Sequence, residues 1–80
     1  MKKVAFAWIT EWVDFTDYDE AIKYIKNNSN KGWRFVVPSV DHYTGYSAEV
    51  NAEKIVYENG GDVFKYTVQI EKPYRSYNMG

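Results

Sequence analysis

Val4 to Ile9 constrains this chain more than any other stretch. Alternation along a strand puts Val4, Phe6 and Trp8 on one side and Ala5, Ala7 and Ile9 on the other, so both sides are apolar. A strand of that kind is usually central in a sheet, or covered on both faces. The coats have to come from a chain of 80 residues, a length that makes one domain. Three Trp, eight Tyr and four Phe can bury enough surface to offset the entropy of ordering, which excludes a disordered tail.

The absence of cysteine removes disulfide frameworks, thiol nucleophiles and zinc–thiolate sites. Met1, Lys2 and Lys3 before the apolar run imitate a secretory leader, but the run ends at Thr10 and Glu11, short of the roughly 7–15 residues such a leader needs. No stretch approaches the ~20 apolar residues of a membrane span. The expectation is a cytoplasmic protein that does not enter membranes. A net charge of −1 argues against a generic nucleic-acid binder, which carries an excess of Lys and Arg.

The charge is patterned by block, with five acids and no base over residues 11–20 and four bases and no acid over 21–40. Thr16-Asp17-Tyr18-Asp19-Glu20 carries overlapping helix-start signals: Thr16 can cap with Asp19, or Asp17 with Glu20. Tyr18, Ala21, Ile22 and Ile25 then recur at helical spacing, and Asn27 to Gly32 forms a polar stop, predicting a helix over 17–29. Trp33 to Val37 reads as a strand closed by Pro38, and Asp41 to Gly45 as a turn.

Residues 47–59 admit two readings. Ala48, Ala52, Ile55 and Val56 would make a helical stripe, the ferredoxin-like alternative (β-α-β-β-α-β), which leaves only 42–46 for a third strand. A two-residue hairpin at Gly60-Gly61 would instead face Tyr57 with Phe64 and Ile55 with Tyr66, joining strands 50–58 and 63–71. That pairing of apolar with apolar side chains favours the hairpin. The expected fold is therefore α+β, a single antiparallel sheet of about four strands with one helix on one face (β-α-β-β-β), in a domain of residues 1–72 with a tail at 73–80. One helix covers one face. The other would hold Ala5, Ala7, Ile9, Val36, Val56 and Val63, so either a partner or a second copy in a homodimer covers it.

No catalytic constellation emerges. His42 is the only histidine, and nothing around Ser39 or Ser47 resembles a strained nucleophile elbow. Asp14, Asp17 and Asp19 suggest a cation loop, yet Ala21 and Ile22 stand where that loop needs a ligand and a glycine. The five glycines form neither a phosphate loop nor a dinucleotide fingerprint. The expectation is a non-enzymatic chain with no metal and no cofactor.

Two surfaces could bind. Glu11, Trp12, Asp14, Asp17, Asp19 and Glu20 set an acidic group around Trp12, and aromatic anchors ringed by charge are typical of protein-binding hot spots. This is the leading reading: a non-catalytic protein-binding module, in one concrete form a small anti-CRISPR-like inhibitor from a phage or other mobile element, whose acids occupy a basic channel on the target. The alternative starts from Lys31-Gly32-Trp33-Arg34-Phe35-Val36-Val37, which resembles the signature of the RNA-recognition-motif family, with Arg34 in place of its small residue and Pro38 in place of an aromatic. That resemblance implies single-stranded nucleic-acid binding through Lys23, Lys31, Trp33, Arg34 and Phe35.

Overall fold

The computed structural model describes residues 4–39, 41–58 and 65–77. Among them the chain runs β1 (Val4–Phe15), α1 (Tyr18–Asn28), β2 (Arg34–Val36), β3 (His42–Tyr43), α2 (Gly45–Val50), α3 (Ala52–Ile55), β4 (Tyr57–Glu58) and β5 (Tyr66–Tyr77). All five strands join one antiparallel sheet in the order β1-β5-β2-β3. β1 pairs with β5 from end to end, so β2 and the short β4 share the opposite side of β5. The α+β class is the one expected, an antiparallel sheet with few helices.

The element order corrects the expected β-α-β-β-β, and it is not the ferredoxin-like one either. Residues 45–55 are helical, because Ala48, Ala52 and Ile55 fall on one stripe and all three are buried. Asn51 interrupts the stripe without ending it. Its backbone N–H and its side-chain amide both donate to the Ser47 carbonyl, and its own carbonyl accepts from Lys54 and Ile55. The predicted strand 50–58 is thereby reduced to Tyr57–Glu58. Tyr57 faces Thr67 rather than Phe64, so the register of a two-residue hairpin is not the one formed. Gly60, Gly61 and Val63 lie outside the described residues. β5 runs on through Tyr77, into the stretch read as a tail.

α1 begins as the sequence expects. Asp17 is its N-cap, its carboxylate accepting from the Asp19 N–H at 3.2 Å, and Asp19 and Glu20 sit in the first turn where the helix dipole favours acids. Gly32, with φ at +78°, turns the chain back toward β2, a conformation that costs a side-chain-bearing residue about 1 kcal/mol or more. Ala21 and Ile25 on the α1 stripe meet Ala48, Ala52 and Ile55 from α2 and α3 and Phe35, Val68 and Ile70 from the sheet, forming one core. Val13 and Phe15 of β1 pack against it. The three helices among the described residues therefore lie on one face of the sheet; on the other, Val36 and Thr67 are buried while Trp12 is 61% exposed.

This arrangement corrects the two sides of β1. Val13 and Phe15 face the helices, so by alternation Ala7 and Ile9 share the helix side while Trp8 and Trp12 stand on the open side. Val56 belongs to the core and not to a second face, whereas Val36, cross-strand from His42 and Gln69, does lie on the open face. The position of β1 is also corrected: it is an edge strand, paired on one side only among the described residues. β2 reaches only as far as Arg34 opposite Glu71, so residues 4–9 and 72–77 form a two-stranded arm beyond the third strand.

Candidate functional site

The open face is built in rows by the pairing of its strands. Trp12, Gln69, Val36 and His42 form one row, and Thr10, Glu71 and Arg34 the next toward the arm. Asp14, Thr67 and Tyr57 form the row on the other side of Trp12. Trp8, opposite Pro73, continues the face into the arm.

Strand alternation turns Arg34 away from its buried neighbour Phe35 and onto this face. Its guanidinium carbon lies 3.8 Å from the centre of the Trp8 ring, and its Nη2 is 3.1 Å from Glu71 Oε1. His42 Nε2 approaches the same oxygen at 3.4 Å. Arg34 Nε and Glu71 Oε1 are shielded from water yet make no well-aligned hydrogen bond, so the ion pair and the ring hold this group together. Further along, Thr67 Oγ donates to Asp14 Oδ1 at 2.8 Å, and Lys65 Nζ lies 3.9 Å from Asp14 Oδ2. Asp14 and burial together hold the Tyr57 phenol above its ordinary pKa, burial being the larger cause. Between these two polar groups stands Trp12, 61% exposed.

The acidic group expected around Trp12 is not one surface. Trp12 and Asp14 share the open face, but Glu11 points to the helix side, where Lys72 pairs with it at 3.0 Å. Asp17 is occupied as a cap, and Asp19 and Glu20 lie in the first turn of α1. The second candidate group is divided in the same way. Phe35 is fully buried in the core and has no face to offer a base. Trp33 packs beside it on the helix side, its ring 6.3 Å from Tyr24, with Lys72 and Lys31 at 4.5 and 5.2 Å. Lys23 is exposed on α1, and Arg34 lies across the sheet.

Sequence reasoning missed Trp8, His42 and Glu71 as parts of one surface. The signal was present in Val13 and Phe15. Counting alternation backward from those two apolar residues, on a strand long enough to reach them, places Trp8 and Trp12 together on the opposite side.

Chemically the face offers one stacked cation–aromatic pair, one exposed indole and a fringe of hydrogen-bonding groups. No cluster of metal-ligating side chains occurs among the described residues, and no described helix is long and apolar enough to cross a membrane. Comparisons with protein families, with curated proteins and with solved structures found no significant match to this chain.

Proposed function

We propose that this chain is a non-catalytic module that binds a protein partner on the open face of its sheet, with Trp12 and the Trp8–Arg34 stack as anchors. The observation that carries the reading is the exposure of Trp12, 61% open to solvent on the edge strand of the face opposite the helices. Trp and Arg are the side chains most enriched where truncation costs a complex more than 2 kcal/mol, and the polar groups on either side of Trp12 form the rim such an anchor needs.

Affinity capture with the wild-type chain and three variants tests this. Trp12→Ala and Trp8→Ala each weaken capture of the same partner at least about 30-fold, a loss of 2 kcal/mol. Tyr46→Ala, at a residue 72% exposed on α2, leaves capture unchanged. Circular dichroism checks that all variants are folded. Recovery that is equal for all four chains, or no protein whose capture depends on Trp12, contradicts the proposal.

A further inference from the structure

The edge of β1 carries an inference independent of the open face. Pro73 has no N–H, yet the β1–β5 ladder runs through its pairing with Trp8. That pair is therefore of the kind that exchanges no hydrogen bonds, and the hydrogen-bonded pairs fall on Ala7, Ile9, Glu11 and Val13. The backbone N–H and C=O groups of Val4, Phe6, Trp8, Thr10, Trp12 and Asp14 consequently point to the outer edge, where the described chain supplies no partner. Of the usual protections, Val4 to Phe15 contains neither Pro nor Lys, and its two charges, Glu11 and Asp14, are paired with Lys72 and Lys65. The opposite edge of the arm differs, for β5 there carries Lys72, Pro73 and Arg75.

We infer that β1 pairs antiparallel with β1 of a second copy, about a two-fold axis through Ile9 and perpendicular to the sheet. A second copy run antiparallel satisfies the whole of this edge in one register. A perpendicular axis keeps helix side with helix side, so even-numbered residues must face even-numbered ones. Centred on Ile9, Val4 faces Asp14, Phe6 faces Trp12 and Trp8 faces Thr10 of the second copy, and every outward N–H and C=O finds a partner. A shift of two residues either way leaves some unpaired. Glu11 then faces Ala7 and Asp14 faces Val4, so no like charges stand opposite each other. The axis also brings the helical layer of the second copy beside the helix side of the arm, where Ile9 and Tyr74 are 47% and 52% exposed. The product is one continuous sheet with the Trp8 and Trp12 residues of both copies on its open face.

Sedimentation equilibrium at tens of micromolar gives twice the 9.4 kDa chain mass. Because the chain has no cysteine, Ile9→Cys forms a covalent dimer on mild oxidation: paired across the axis without hydrogen bonds, the two Cα atoms lie about 4.5 Å apart, within disulfide reach. Ala7→Cys does not, because its counterpart is four positions away, about 14 Å. Thr10→Pro removes an outward donor and gives a monomer that keeps its circular dichroism spectrum. A monomeric wild type overturns the inference, as does cross-linking at Ala7→Cys that equals that at Ile9→Cys. A Thr10→Pro chain that remains dimeric also overturns it. None of these results depends on whether Trp12 binds a partner.

Discussion

The same two strands lead different lives at their two ends. At Val13–Phe15 and Tyr66–Ile70, β1 and β5 carry the helices, and Val68 and Ile70 are fully buried. At Ala7–Ile9 and Lys72–Tyr74 they have lost the third strand, and Trp8, Ile9 and Tyr74 are each more than a third exposed. Local composition does not make this difference, since the bare end is the more apolar of the two. What differs is the reach of the neighbours. β2 ends at Arg34 and α1 packs over the other end, so a strand apolar on both sides projects past its own cover. A two-stranded ribbon by itself is only marginally stable in water. The proposed pairing of β1 with a second copy would cover that ribbon.

Paired substitutions can break this contrast. Phe35→Ala, in the covered half, costs about 3–5 kcal/mol in a urea titration, because a fully buried ring leaves a cavity that its neighbours cannot close. Trp12→Ala, a larger truncation, changes stability by less than about 0.5 kcal/mol while removing the proposed anchor. Similar losses at the two sites would mean that Trp12 is structural.

The next effect is smaller and sharpens the edge assignment. Ile9→Pro removes a donor that bonds to β5 and lowers stability by about 1 kcal/mol, whereas Thr10→Pro, one residue away, spares that ladder. In a monomeric regime the melting temperatures of the two variants separate in that order. The reverse order would invert the assignment of inward and outward amides.

The smallest effect is in alkali and belongs to the covered half, at Tyr24 on α1 and Tyr57 on β4. Burial raises the Tyr24 phenol, which packs 5.2 Å from Phe15; Glu11 adds to the rise and Lys72 opposes it. Burial and Asp14 raise Tyr57. A phenol whose folded pKa is raised contributes stability that is complete below its unfolded value of 10.0 and is lost as pH rises through the folded value. The urea midpoint therefore begins to decline as pH rises past 10.0. The decline is shallower in Tyr24→Phe than in the wild type.

Much of the helical layer was legible in the sequence. The cap at Asp17 and the stripe Ala21-Ile22-Ile25 are local signals, and they form α1 as written. The stripe Ala48-Ala52-Ile55-Val56 was equally visible. Cross-strand apolar pairing at 55–66 outweighed it there, although an apolar pair on paper costs nothing to draw and a buried helical stripe has to exist to fill the core. The face of β1 was illegible for a different reason. Where both sides of a strand are apolar, alternation cannot tell inside from outside, and only the neighbours at Val13 and Phe15 decide it. The acidic group around Trp12 shared that weakness: consecutive residues on a strand part to opposite faces, so nearness in sequence was separation in space. The exposed edge could not be read at all, because it depends on which strand pairs with β5 and how far β2 extends.

Amide hydrogen exchange along β1, followed residue by residue by NMR at low and high protein concentration, tests most directly whether the arm is bare. In dilute solution the account predicts slow exchange at Ile9, Glu11 and Val13 and fast exchange at Trp8, Thr10 and Trp12. The fast set should become protected as concentration rises. Uniform protection of both sets in dilute solution would show that the chain already covers its own edge, and would contradict the account.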